Sequence, residues 1–205
     1  MELSDAPLFV VGKTDTQIFG NAEHAKPAYA NQRALLCRNA IAPDLLFQFA
    51  GAAAKAQFAS DTVEHLGHRW IEQPSIIGNA IQLVLNRPAL LDWLKTVTGC
   101  SAIGGIEGRL VETRAGGQDH LSWHRDTVPN ARYEFGLTLH LRPCQYEGGA
   151  FEMRDSKNKQ PLFRHYPADP GDLLIFEVDA RSEHRVMPVV SGQARLVFTG
   201  WFIAS

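Results

Sequence analysis

The hydrophobic period changes once along the chain, near residue 99. From Ala42 to about Phe58, in APDLLFQFAGAAAKAQF, Leu45, Leu46, Phe49, Ala52 and Ala53 recur at helical spacing behind Pro43, whose fixed φ suits a first helical turn. This predicts a helix with one apolar stripe. A second helical zone runs from about Ser75 to Thr98. There Pro88 restarts the helix, Leu90, Leu91 and Leu94 face the core, and Gly99 stands where a left-handed C-terminal cap belongs. Beyond Gly99 the pattern becomes short alternating segments punctuated by Gly, Pro and Asp: GIEGRLVETR, HLSWHRD, YEFGLTLHL, GGAFEMR, QPLFRHY, GDLLIFEV, EHRVMPVV and ARLVFTGWFI. These read as about eight strands at the spacing of an all-β sandwich or barrel. The predicted class is α+β, with residues 100–205 forming a double-stranded β-helix of jelly-roll or cupin-like kind and residues 1–99 a mainly helical support packed on it. RALLCRN, from Arg33 to Asn39, is expected to add an edge strand.

Composition narrows the function. The 205 residues carry no internal repeat, low-complexity tract or Gly/Ser-rich linker, so one domain spanning 1–205 is expected. A net charge of −2 lacks the basic surplus that a nucleic-acid backbone demands, and nucleic acid is not expected as a partner. Cys37, Cys100 and Cys144 are odd in number and widely spaced, which suggests reduced core thiols and neither a disulfide framework nor a zinc ribbon. The start, MELSDAPLFVVGK, has too short an apolar run for a signal segment, and no stretch approaches a membrane span. A cytoplasmic location without membrane contact is therefore expected.

The chemistry starts at WHRDTVPNARYEFGLTLHL. Side chains on a strand alternate faces, so His124 and Asp126 point to one side and Arg125 to the other. Such a pair alone also fits a solvated strand end. His184 lies in a later strand, and Arg195 opens the last one, after the turn VSGQ. If the strands of His184 and Arg195 are neighbours in a barrel whose mouth holds His124 and Asp126, two imidazoles and a carboxylate meet, a set that suits non-haem Fe(II) with open positions. On the last strand Arg195, Val197, Thr199 and Trp201 share one face. An arginine on a face otherwise largely apolar needs an anion, to which Thr199 could add a hydroxyl. On YEFGLTLHL, Thr138 and His140 point opposite to Leu137, Leu139 and Leu141, making His140 a candidate donor to the same anion or a satisfied core histidine.

These pieces carry a resemblance. The HxD of His124 and Asp126, the EGG of Glu147 to Gly149, PADPGDLLIFEV, and the order H…PV…G…R…T.W in HRVMPVVSGQARLVFTGWF resemble the Fe(II)- and 2-oxoglutarate-dependent dioxygenases, in particular their prolyl 4-hydroxylase-like branch. The likeness covers about Gly105 to Phe202. It implies that His124, Asp126 and His184 hold Fe(II) and that Arg195 pairs with the distal carboxylate of 2-oxoglutarate. It also implies that Thr199 and His140 line the cosubstrate pocket. Arg114 and His140 stand where family members often have tyrosines, and Arg114 is a candidate for cosubstrate or prime substrate. The implied reaction uses O₂, with ascorbate as an accessory. It decarboxylates 2-oxoglutarate to succinate and CO₂ and hydroxylates an unactivated C–H bond of an amino-acid, peptidyl or small-molecule substrate. Asp126 argues against halogenation, because related halogenases vacate that position.

Two rivals are weighed against it. Nucleic-acid dealkylases on this barrel carry a second arginine six positions after the first, where this chain has Trp201. A non-catalytic or zinc-binding cupin-like module would accept the same ligands but has no use for a buried arginine. Among other residues, His65 and His68 read as a solvated loop, His120 as a loop residue preceding its strand, His165 as peripheral, and Glu112 with Arg114 as inward-facing or as a surface ion pair. No serine or cysteine has a nucleophile context. The loops Ala115 to His120 and Thr127 to Tyr133, with RDSKNKQ at 154–160, are the expected substrate-choosing segments. The oligomeric state is not legible.

Overall fold

A computed structural model describes residues 6–126, 133–166 and 168–204; most of the expected 127–133 substrate loop lies outside them. The first 99 residues form β1 (Phe9–Val11), β2 (Thr16–Ile18), α1 (Ala22–Gln32), β3 (Ala34–Cys37), α2 (Pro43–Ala53), β4 (Phe58–Val63), β5 (Gly67–Glu72), α3 (Ile76–Leu85) and α4 (Pro88–Thr98). The remainder forms β6 (Ile103–Thr113), β7 (His120–His124), β8 (Tyr133–His140), β9 (Tyr146–Gly148), β10 (Phe151–Asp155), β11 (Pro161–His165), β12 (Leu173–Glu177), β13 (Ser182–Val186), β14 (Val189–Gly192) and β15 (Arg195–Ala204). None of the helices in the described residues is long and apolar enough to cross a membrane.

The main sheet has eleven strands, all paired antiparallel, in the order β11-β10-β13-β7-β5-β6-β15-β8-β12-β3, with β4 branching from β5. β10 and β12 stand far apart in that order, yet the Phe151 and Phe176 rings lie 4.7 Å apart. The sheet must therefore curl back on itself into a nearly closed jelly-roll barrel. The β9–β14 pair lies outside this sheet.

Period-2 patterning sets the two faces. Leu137, Leu139, Leu173, Ile175, Leu196, Phe198 and Phe202 form a core with Ile81, Leu85, Leu90 and Leu94 of α3 and α4. Each such buried side chain contributes on the order of 2 kcal/mol. The opposite face, with Thr138, Val197 and Thr199, lines the barrel interior. Buried Glu72 fixes α3 on this wall by accepting from the backbone N–H groups of Ile77 (2.7 Å) and Gly78 (2.8 Å), placing a carboxylate on the positive end of the helix. Asn86 then clamps β6: its amide donates to the Ile106 carbonyl at 2.8 Å and its oxygen accepts from the Ile106 N–H at 2.6 Å.

Several local expectations change. The first helix stops at Ala53, and Phe58 opens a strand; α1 and the β4–β5 hairpin stand where no element was expected. Pro88 does restart the helix, and Gly99 caps it at φ 74°. β3 is the expected edge strand, paired only with β12.

Candidate functional site

Two adjacent strands converge the triad. β7 and β13 pair with His124 and His184 as direct Cα partners, so both side chains leave the same face and their rings lie 4.3 Å apart. Asp126 follows the end of β7, with Oδ1 3.4 Å from His124 Nε2 and Oδ2 3.4 Å from His184 Nε2. The three ligand-type atoms lie within 4.8 Å of one another, and the 3.4 Å imidazole–carboxylate separations are ones that a divalent ion spans with bonds of about 2.1 Å. His124 Nδ1 donates to the Ser122 carbonyl at 2.7 Å, which leaves the Nε2 lone pair aimed at the shared centre.

The electrostatics keep Asp126 ionised and His184 neutral, as metal ligands must be. Burial tends to raise the Asp126 pKa, but the His124 hydrogen bond, the His184 and His124 charges and the Trp201 N–H bring it down to about 2. Burial, assisted by His124, lowers His184 to about 4. Burial also tends to lower His124, but there the hydrogen bond and charge of Asp126 prevail and the value rises above the ordinary one.

Arg195 lies in the same cavity, whose walls also include Val111, Thr113, Thr138, Phe151 and Phe176. It is almost fully buried, and its Nε has no hydrogen-bond partner. Burial lowers its pKa, with Tyr146 and Cys144 acting the other way. Gly149, at φ 68°, lets this side chain pass: a Cβ there would sit 3.3 Å from Arg195 Cδ and 2.9 Å from the Tyr146 ring.

The strands of His184 and Arg195 are not neighbours. β13 pairs with β10 and β7, whereas β15 pairs with β6 and β8, so Arg195 faces the triad across the barrel. Thr199 lines the cavity, but its hydroxyl donates to the Leu137 carbonyl at 3.0 Å and is left to accept. Thr138, 3.3 Å from Thr199 Oγ1, is therefore the donor to it, and both hydroxyl protons are committed. His140 is buried behind the cavity wall with Nε2 unpartnered and its ring 5.3 Å from His165. Its pKa falls well below the ordinary value through burial first, then the Arg195 and His165 charges.

Arg114 requires correction. On β6 the odd-numbered residues Arg109, Val111 and Thr113 face the cavity, and Arg114, just past the strand, turns outward. It pairs with Glu112 at 2.7 Å, lies 3.5 Å over the Trp70 ring and is not among the residues that line the cavity. His165 is buried, not peripheral, with Nε2 3.9 Å from Asp172 Oδ2. His120 begins β7, and His68, expected in a loop, pairs with it on β5.

Three features escaped the sequence reading. Trp201 Nε1 donates to Asp126 Oδ2 at 2.8 Å, which ties β15 to the triad; its shared parity with Arg195 was the available signal. Arg109 lines the cavity beside it. Ser60, His68 and Asp119 form a chain, with Ser60 Oγ 2.8 Å from His68 Nε2 and His68 Nδ1 2.6 Å from Asp119 Oδ1. Asp119 also accepts from the Arg114 N–H at 2.8 Å, so this chain staples β4 and β5 to the 114–120 loop.

A jelly-roll barrel with two imidazoles and a carboxylate facing a buried arginine defines the class of non-haem metal-dependent oxygenases. Residues 110–203 match the family model of the 2OG-Fe(II) oxygenase superfamily, which supports membership of the barrel in it. The chain is an enzyme of this class. No curated protein matches it. Among solved structures it is similar to a Pseudomonas putida prolyl-4-hydroxylase, at 16% identity and TM-score 0.67, covering 90% of this chain and 100% of that one. A Trichoplax adhaerens prolyl hydroxylase, in complex with a hypoxia inducible factor peptide fragment, matches at 15% identity, TM-score 0.66 and 89% of each chain. The epimerase SnoN, in complex with Fe3+, alpha ketoglutarate and nogalamycin RO, matches at 11% identity and TM-score 0.65 over 89% of this chain and 83% of that one.

Proposed function

We propose that this chain is a 2-oxoglutarate-dependent hydroxylase, with His124, Asp126 and His184 holding Fe(II) and Arg195 anchoring the distal carboxylate of 2-oxoglutarate. The observation that carries the reading is Arg195, a buried cation with a free Nε in the cavity the triad lines. An unpaired buried charge is costly, and a carboxylate delivered into the cavity relieves that cost. Fe(II), with 2-oxoglutarate and O₂, supplies oxidative decarboxylation to succinate and CO₂ coupled to conversion of a substrate C–H to C–OH.

The chain's own residues orient and shield. Arg195 offers a planar fork to the carboxylate. Phe151 and Phe176, both buried, pack against the His184 ring at 5.7 and 4.9 Å and keep the triad's side of the cavity apolar. Asp126, held by Trp201, keeps a fixed orientation towards both imidazoles. The similar structures hold different partners, a peptide fragment in one complex and nogalamycin RO in another. Fold alone does not choose between them.

The test is 2-oxoglutarate uptake by the Zn(II)-loaded protein, together with succinate formation by the Fe(II)-loaded protein, for wild type and Arg195→Met. Wild type should bind 2-oxoglutarate and form succinate. The variant should keep its metal and lose cosubstrate affinity by about 100-fold, the loss of a charge-assisted bidentate pair. Equal cosubstrate affinity in both proteins would remove Arg195 from this role.

A further inference from the structure

We infer that Arg109 anchors a carboxylate of the prime substrate, and that the barrel therefore takes a small organic acid. This rests on the oxygenase reading above and goes on to name its substrate class. Three arginines line the main cavity: Arg69, Arg109 and Arg195. Arg69 is neutralised by Asp61 at 2.7 Å, and Arg195 has its proposed anion in the cosubstrate. Arg109 forms neither an ion pair nor a hydrogen bond among the described residues; its one polar contact is with the Trp201 ring, 5.8 Å from the guanidinium carbon. Glu107, on the same face of β6, lines the adjoining outer cavity with Arg109, Gln82, Tyr133 and Trp201 but does not pair with it.

The geometry gives this free cation a place in the reaction. Arg109 is the Cα partner of Thr199, and Arg195 that of Thr113, so the two arginines start four ladder positions apart, about 13 Å along the strands. Arg195 marks one end of the cavity, and Arg109 stands where the main cavity meets the outer one. Trp201 joins Arg109 to the triad, since the indole near the guanidinium donates to Asp126. Tyr133 stacks on that indole at 4.5 Å and 9°, which holds the ring in place. An acid seated on Arg109 would thus lie about one indole width from the triad, bringing a C–H bond only a few bonds from the carboxylate to the reaction centre. A single guanidinium with five unshared N–H donors matches a planar monoanion; a phosphate dianion calls for further donors.

The probes are a mixed set of free amino acids, N-acetyl amino acids and arylacetic acids, each offered beside its own primary amide. They are presented to protein loaded with Zn(II), with and without 2-oxoglutarate, and retention is read by mass after ultrafiltration. Wild type should retain at least one acid and not its amide. Arg109→Gln should retain that acid roughly 30-fold less, the loss of one charge-assisted contact, and Arg109→Lys should recover part of it. Both variants should keep 2-oxoglutarate affinity and the thermal transition of wild type. Retention of acids and amides alike, retention of neither, or equal retention by Arg109→Gln overturns the proposal. So does weakened 2-oxoglutarate binding in that variant, which would put the guanidinium on the cosubstrate. Failure of wild type to bind 2-oxoglutarate would instead sink the oxygenase reading, while the arm without cosubstrate still scores Arg109.

Discussion

Replacing Trp201 with Phe should loosen the bound metal while leaving the barrel intact. The substitution deletes one N–H, the donor to Asp126 Oδ2 at 2.8 Å, and keeps an aromatic ring for Tyr133 to stack upon. A hydrogen bond to a charged group is worth about 1.5–3 kcal/mol. The Asp126 side chain is 14% exposed, so water replaces part of the lost bond. A net cost of about 1.5–2.5 kcal/mol corresponds to a metal affinity roughly 10- to 60-fold weaker. Competition against a chromophoric chelator measures this directly with Zn(II) or Fe(II). Cosubstrate affinity at saturating metal should barely move, because Arg195 is untouched. A folded Trp201→Phe protein whose metal affinity stays within about threefold of wild type would refute the claim that the indole orients Asp126.

Three further outcomes follow from buried groups and backbone geometry. Ligand-free Arg195→Met should melt above ligand-free wild type, because it removes a buried cation whose Nε is unpartnered; a lower melting temperature would show that the cation is already compensated. His165 is held to about pH 4 by burial and then by the Arg38 and Arg195 charges. The unfolded imidazole takes its proton near its ordinary value while the folded one refuses it. Stability should therefore fall as pH drops from about 6.5 to about 4, and His165→Asn should flatten that limb in chemical denaturation at stepped pH. Gly99→Ala should cost about 1 kcal/mol, seen as a lowered thermal midpoint, since φ is 74° and a Cβ would meet open space, leaving only the left-handed backbone penalty.

What was legible depended on how strongly burial imprints a period. β8 and β15 alternate cleanly because one face packs on α3 and α4 and the other lines a cavity, so the parity of Thr138, Arg195, Thr199 and Trp201 could be read from the chain. The β4–β5 hairpin left little such imprint: its strands are mostly half-exposed, and FASDTV reads no differently from a polar loop. α1 buries only Ala25 and Tyr29 and contains Pro27, so it shows no apolar stripe to find. For β6 the opposite parity was taken: its odd positions Arg109, Val111 and Thr113 line the cavity, whereas Glu112 and Arg114 pair with each other off it.

Strand order was the deeper gap, and it bears on the site. Local turns dictate hairpins, whereas the partner of a non-local strand is decided by which faces bury together. The sequence order invites β13 and β15 to be neighbours; instead they lie on opposing walls, with His124 and His184 on one and Arg195 and Trp201 on the other. Asp126 is the residue on which the walls meet, since it faces both imidazoles and accepts the indole N–H. The strand that presents Arg195 thus also steadies the triad, and any shift of β15 against β7 must disturb metal and cosubstrate binding together. A change confined to the outer face of β15, such as Phe198→Leu, should accordingly weaken both in proportion as it lets the strand move.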